Sequence, residues 1–174
     1  RKYFLKIGAG QGESIPATSR YRKHNSLKWG DATSYLGYYI AVLASEYRLL
    51  SDAGQPTTGT ANELYYAINA INRLDLNAEV FYADKLLQES KSQNLNGWFL
   101  RDDVSSNFWQ NWQDQAIVES DAQFYSVSTP IEYQRFSPAN EPSQDQVIML
   151  LLGFAFVKEF VGPNVIANPE NNNT

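Results

Sequence analysis

Residues 31 to 53 decide the fold, and they read DATSYLGYYIAVLASEYRLLSDA. The apolar side chains in this stretch recur every three or four positions, which predicts an amphipathic helix with one broad buried face. Asp31 stands where an acid favours the helix dipole, and Gly54 follows as a typical stop signal. The positions that form the apolar face are Tyr35, Leu36, Tyr39, Ile40, Leu43, Tyr47 and Leu50.

Two more helices are predicted from the same periodicity. The second covers residues 60 to 75, where Thr60 and Glu63 have the spacing of a capping box, and it continues or restarts over residues 78 to 87. The third covers residues 143 to 161 and is the most apolar. Because a short turn joins the first two helices, we expect them to be antiparallel neighbours.

The predicted fold class is therefore all-α, built from antiparallel helical hairpins with a long structured insertion. Its core is predicted to contain Leu36, Ile40, Leu43, Leu64, Ile68, Ile71, Leu150, Leu151 and Phe154.

Composition divides the chain into three parts. Residues 1 to 30 form a basic N-terminal arm, in which residues 3 to 7 suit a short strand or an anchor. Residues 31 to 162 form the helical domain, and its insertion at residues 90 to 141 holds three of the four tryptophans. Residues 163 to 174 are a polar tail.

Charge is unevenly distributed along the chain. The formal net charge is −5, but residues 1 to 28 carry seven of the fourteen basic residues and one acid, a local balance of +6. Such a segment either binds a polyanion or packs against the acidic remainder of the same chain. Packing against the chain itself is favoured. No nucleic-acid partner is predicted, because the basic stretch is short and the acidic remainder would repel phosphate.

Composition also argues against several other classes. The sequence has no cysteine and one histidine, so it offers neither a disulfide framework nor a multi-His metal centre. The most apolar run, residues 147 to 157, is about half as long as a membrane span, and no span is predicted. No cofactor is predicted. A calcium ion bound by Asp102, Asp103 and Asp145 is a weaker alternative.

The start at Arg1 suggests a processed product or a fragment.

Four carboxylates are candidate catalytic groups: Asp31, Asp102, Asp103 and Asp145. In a bundle of alternating helices, the starts of the first and last helices share one end with the insertion, which would gather these acids around Arg101. Carboxylates in a shared, partly buried site differ in pKa, as an acid–base pair requires. A pair about 5–5.5 Å apart would suit a retaining glycosidase, and a pair about 6.5–9.5 Å apart an inverting one.

Aromatic and polar side chains beside these acids are candidates for substrate binding. A tryptophan near carboxylates can stack on the apolar face of a sugar ring while the acids bind its hydroxyl groups. The predicted substrate-binding residues are Trp29, Trp98, Arg101, Gln144 and Gln146. The alternative is that Asp31 and Asp145 only stabilise helix starts, and that Arg101 pairs with an acid to hold a loop.

Four motifs carry a resemblance to known proteins: WGDATSYLGYY at residues 29 to 39, NRLD at 72 to 75, GWFLRDDV at 97 to 104 and SQDQ at 143 to 146. With them, residues 29 to 161 resemble a group of exported bacterial helical proteins of poorly defined function. Their paired helices with acidic loops resemble, in architecture, part of an (α/α) toroid of carbohydrate-active enzymes. This resemblance implies a secreted, periplasmic or cell-surface location and a carbohydrate ligand.

The leading hypothesis is an exported helical domain that processes or binds glycans through a carboxylate cluster, glycoside hydrolase-like if it is an enzyme. The alternative is a non-catalytic surface or assembly module whose acids are structural. A polysaccharide is the expected partner in the first case, and other protein subunits or the rest of a longer chain in the second. An open acidic cleft beside an exposed tryptophan would favour the glycan hypothesis. Acids that are hydrogen-bonded at helix starts, together with a large apolar surface patch, would favour the assembly module.

Overall fold

The computed structural model describes residues 5–7, 15–19, 27–28, 31–82, 95–101, 142–163 and 165. Within these residues the chain forms three helices, which are α1 at Ala32–Asp52, α2 at Thr58–Tyr82 and α3 at Gln144–Phe160. The predicted all-α class is confirmed for this part of the chain.

A small antiparallel sheet accompanies the helices. Its strands are β1 at Leu5–Ile7, β2 at Ile15–Ser19 and β3 at Leu27–Lys28, and β2 pairs with both of the others. The periodicity does not predict β2 or β3, because strands this short show little alternation. β2 lies against α1, so part of the basic arm packs on the helical body.

α1 and α2 are antiparallel neighbours, as their short connection predicts. The hydroxyl of Tyr39 donates a hydrogen bond to Glu63 Oε1 (2.6 Å), and Thr60 Oγ1 donates one to Glu46 Oε2 (3.1 Å). Glu46 follows Tyr39 on α1, whereas its partner Thr60 precedes Glu63 on α2. The two helices therefore run in opposite directions.

The predicted capping box at Thr60 and Glu63 is wrong. α2 begins two residues earlier, at Thr58, so Thr60 lies inside its first turn. Both side chains hydrogen-bond to α1 instead, because polar groups at a helix–helix contact need partners once water is excluded. α2 then continues without a break to Tyr82, so the helicity predicted from residue 78 onward is a continuation of this helix and not a restart.

α1 and α3 are parallel neighbours whose backbones approach closely. A Cβ atom on Gly37 would overlap the main-chain carbonyl of Met149, and one on Gly153 would lie 2.6 Å from the carbonyl oxygen of Gly37. The Gly153 position also meets the Ile40 side chain at 3.2 Å. Gly37 meets Met149, and Ile40, which comes later on α1, meets Gly153, which comes later on α3. The two helices therefore run in the same direction. Glycine is needed at both positions because a side chain would force the helices apart.

The core lies where α1 meets α2 and α3. The predicted core residues that are buried are Leu36, Ile40, Leu43, Leu64, Ile71 and Leu150. Ile68 and Phe154 are partly buried against them. The prediction is wrong for Leu151, whose side chain is 61% exposed. Because α3 is apolar on every side, its periodicity does not identify the face that packs.

Candidate functional site

Residues 95 to 101, which we call the docked segment, are fastened to the C-terminal half of α2. Asp75 is only 7% exposed, and its carboxylate accepts the N–H groups of Asn96 (3.0 Å) and Gly97 (2.7 Å). Asn96 Oδ1 in turn accepts the N–H of Trp98 (2.9 Å). Hydrogen bonds to a buried carboxylate are charge-assisted, so Asp75 is a strong anchor for this turn.

The docked segment buries its apolar end and exposes its tryptophan. The N–H of Leu100 donates to the main-chain carbonyl of Leu74 (3.2 Å), and the side chains of Phe99 and Leu100 are buried. Gly97 has a φ of +86°, a backbone conformation that favours glycine at the turn. Trp98 is 42% exposed. The segment therefore presents an aromatic side chain from a fixed backbone.

The first turn of α3 forms a second fixed structure. Ser143 and Gln146 make a capping box, in which Gln146 Oε1 accepts the N–H of Ser143 (3.2 Å). Gln146 is fully buried, whereas Gln144 is exposed. The hydroxyl of Ser143 donates a hydrogen bond to the carboxylate of Asp145. The Ser-x-x-Gln spacing is a known capping signal, so the sequence does contain the information for this turn.

The surroundings of the Asp145 carboxyl lower its pKa. The hydrogen bond from Ser143 lowers the pKa of Asp145 below its ordinary value, although partial desolvation acts in the opposite direction. The N–H groups of Gln146 and of Asp145 itself, with the positive charge of Arg101, also lower this pKa. A general acid needs a raised pKa, so this environment suits charge pairing or hydroxyl binding better than proton donation.

The structure brings Asp31, Arg101 and Asp145 to one end of the bundle. Gly37 meets Met149, and the residues six positions earlier, Asp31 and Ser143, precede the two parallel helices. Asp31 and Asp145 therefore lie at the same end. Arg101 is close enough to Asp145 for its charge to lower the pKa of that carboxyl. Their predicted roles in catalysis and substrate binding stay predictions.

Asp31 is the residue that begins α1. Its main-chain carbonyl accepts the N–H groups of Ser34 (3.0 Å) and Tyr35 (3.3 Å), but its side chain makes no capping hydrogen bond to the helix. The hydroxyl of Thr33, which follows in the first turn, is buried without a hydrogen-bond partner. An unpaired buried hydroxyl costs about 1–3 kcal/mol. The polar groups at the start of α1 are therefore less completely hydrogen-bonded than those at the start of α3.

Trp29, Asp102 and Asp103 lie outside the described residues, as does the predicted insertion apart from residues 95 to 101. In the part of the chain that the structure describes, no group of three or more acidic or histidine side chains could hold a metal ion. Among those same residues, no helix has both the length and the apolar character that crossing a membrane demands.

Asp75 is the site residue that the sequence prediction misses. It follows Ile71 by four positions and precedes Ala78 by three, so it occupies the buried stripe of α2. An acid at a core position is the signal that could have identified it, because a buried charge has to be paired or hydrogen-bonded.

No protein-family model, curated protein or solved structure matches this chain. The resemblance to exported bacterial proteins and to (α/α) toroids therefore stays a prediction, and function has to be argued from the residues themselves.

Proposed function

We propose that this domain is an assembly module that binds another protein surface through α3. The observation that carries the proposal is an exposed apolar strip on that helix, which we call the outward face. Ile148 is 57% exposed, Leu151 61% and Leu152 41%, and Ala155 is also exposed. Their spacing of three and four residues places them on one side of a helix.

The other side of α3 is already occupied by the fold. Leu150 and Gly153 are buried against α1, and Val157 packs on the same core. A helix that is apolar all round is typical of a protein interior. Because α3 uses one face inside the domain, its second apolar face suits an intermolecular contact.

The hydrogen bonds of Asp145 and Asp75 also favour assembly over catalysis. Asp145 receives the Ser143 hydroxyl and interacts with Arg101, and its pKa is lowered chiefly by the Ser143 hydrogen bond. Asp75 is occupied by two N–H groups of the docked segment. These contacts hold the backbone around both carboxylates, and the lowered pKa of Asp145 does not suit a general acid.

The test uses a defined probe, a fluorescently labelled amphipathic helix of leucine and lysine, titrated into the full chain. Leu151→Glu should weaken probe binding by at least about tenfold, because a charge replaces apolar contact area. The matched control is Leu49→Glu, which changes an exposed leucine of α1 and should leave binding unchanged. Equal binding by wild type and Leu151→Glu would contradict the proposal.

Glycan binding is the second candidate, and the exposure of Trp98 favours it. The ring projects from a segment fixed by Asp75, and the same segment ends at Arg101, whose charge acts on Asp145. An exposed tryptophan beside a carboxylate can stack on a sugar while the acid binds a hydroxyl group. The exported location and the catalytic roles of Asp31, Asp102, Asp103 and Asp145 belong to this candidate.

A glycan array and a hydrolysis screen separate the two candidates. Wild type should bind a glycan that both Trp98→Ala and Asp145→Asn fail to bind, if this second function is present. Thermal unfolding of each variant shows whether the loss is local. Absence of any bound or hydrolysed glycan would remove the second candidate and leave the assembly proposal untouched.

A further inference from the structure

We infer that the docked segment contains a self-modification site, at which the chain converts its own Asn96 to an aspartyl or isoaspartyl residue with Asp75 as the general base. The inference does not involve α3 and is independent of the proposed function. Asparagine cyclises most readily when glycine follows it, because glycine has no side chain to hinder the attack of its nitrogen. The sequence contains a single such pair, at residues 96 and 97.

The Gly97 nitrogen is the nucleophile of this reaction, and it has to lose its proton to attack. Its N–H already donates a hydrogen bond to Asp75 Oδ2 at 2.7 Å. A general base must lie within hydrogen-bond reach of the proton that it removes. Asp75 meets this requirement, and its buried position on α2 holds the carboxylate in place.

The Asn96 side-chain carbon is the electrophile, and its oxygen is already hydrogen-bonded. Asn96 Oδ1 accepts the N–H of Trp98 at 2.9 Å. Negative charge develops on this oxygen during the attack, and a fixed N–H donor stabilises such a charge. The same hydrogen bond directs the Asn96 side chain forward along the chain, beside the peptide group of Gly97. The nucleophile and the electrophile therefore each have the kind of partner that the reaction needs.

The reaction needs only water as a second reactant. A bond forms between the Gly97 nitrogen and Asn96 Cγ, and the bond from Cγ to Nδ2 breaks. The proton from the Gly97 N–H passes to the Asp75 carboxylate and then to the departing nitrogen, which leaves as ammonia. Water then opens the five-membered succinimide ring at either carbonyl, giving the aspartyl or the isoaspartyl product. Asn96 is exposed, so water has access to the ring.

Either product would weaken the attachment of the docked segment. Both carry a new carboxylate close to the buried carboxylate of Asp75, and like charges at short range repel. In the isoaspartyl product the main chain also runs through Cβ, which moves the Gly97 N–H away from Asp75. The segment and its exposed Trp98 should then separate from α2.

Mass spectrometry of peptides from the full chain, aged at neutral pH, tests the inference. Position 96 should be converted about tenfold or more faster in the folded chain than in the same chain unfolded in urea, because only the fold supplies the base. An isoaspartyl methyltransferase assay identifies the isoaspartyl product. Asn62, Asn69 and Asn72 on α2 are internal controls and should keep their amides. Conversion that is no faster in the folded chain would mean that docking does not promote the reaction, and would overturn the inference.

Two variants test the part played by Asp75. Asp75→Asn removes the base, so its conversion at position 96 should fall to about the rate of the unfolded chain. Asp52→Asn changes an exposed acid of α1 and should convert at the wild-type rate. A rate in Asp75→Asn equal to or above that of wild type would also overturn the inference. The comparison of folded and unfolded wild type decides the question even if Asp75→Asn does not fold.

Discussion

At Gly37, the backbone of α1 meets the main chain of α3 directly, and at Gly153 the backbone of α3 meets the Gly37 carbonyl and the Ile40 side chain. We expect Gly37→Ala to destabilise the domain by about 1–3 kcal/mol or more, because the added methyl group would overlap the main-chain carbonyl of Met149. Gly59→Ala is the matched control. A Cβ there meets nothing within 4 Å, so the variant should be neutral or slightly stabilising. Urea unfolding of both variants measures the difference, and an equal response would contradict the close approach.

Asp75 supports the docked segment from inside the core. Replacing it with Asn removes the charge and leaves one amide oxygen to serve two N–H groups, so we expect a loss of about 1.5–3 kcal/mol in unfolding free energy. Hydrogen exchange at the Asn96 and Gly97 amides should become faster. Asp52→Asn is the control: Asp52 pairs with Arg48 on the exposed surface, and its loss should leave stability and those amides unchanged. Unchanged exchange in Asp75→Asn would show that Asp75 is not the anchor.

The Ser143 hydroxyl is the main reason that the pKa of Asp145 is lowered. A carboxyl whose folded pKa is lowered stabilises the fold above its unfolded pKa of about 3.9, and this contribution is lost as pH falls through the folded pKa. Ser143→Ala should raise the pKa of Asp145 toward its ordinary value, as followed by its carboxyl carbon shift in an NMR titration. Ser45→Ala, which removes a hydroxyl bonded to Ala41, should not move that titration.

At the scale of single residues, the sequence predicts where a residue lies in the fold better than it predicts the partners of its side chain. The order of helices places Asp31, Arg101 and Asp145 at one end, and the structure agrees. The partners of these residues do not follow from periodicity. Gln146 is a predicted substrate-binding residue, but its side chain is buried in a capping box, since helix-start N–H groups require acceptors.

At the scale of elements, helix positions follow from the sequence and helix faces only partly do. The predicted ranges for α1 and α3 differ from the observed ones by one residue at each end. The face of α1 is predictable because polar residues interrupt its apolar stripe. α3 has no such contrast, so the pattern does not separate Leu150, which is buried, from Leu151, which is exposed.

These two adjacent leucines give a stability test of α3. Leu150→Ala should cost about 2–5 kcal/mol, because it leaves a cavity beside α1. Leu151→Ala should cost far less at protein concentrations where the chain is monomeric, since its side chain is already in water. Thermal unfolding of dilute samples makes the comparison. Similar losses in both variants would mean that Leu151 is covered within its own chain.

At the scale of the whole molecule, α1 is the central helix, with α2 antiparallel on one side and α3 parallel on another. The sequence predicts the antiparallel pair because a short connection allows no other arrangement. The order of the helices along the chain predicts that α3 is parallel to α1. It does not predict the glycine contact that sets the distance between these two helices. The charge pattern favours a basic arm that wraps onto the rest of the chain, but the contact of β2 with α1 in particular is long-range and is not encoded in local patterns.

The measurement that tests the central claim most directly is the accessibility of leucine methyl groups to a soluble paramagnetic agent, followed by NMR as the leucine–lysine helix is added. In the chain alone, the methyl signals of Leu151 and Leu152 should broaden strongly, while those of buried Leu150 should not. As the leucine–lysine helix is added, Leu151 and Leu152 should become protected and Leu150 should stay unchanged, because that helix covers the outward face of α3. Protection of Leu151 and Leu152 before the helix is added, or continued exposure at a saturating concentration of it, would contradict the account.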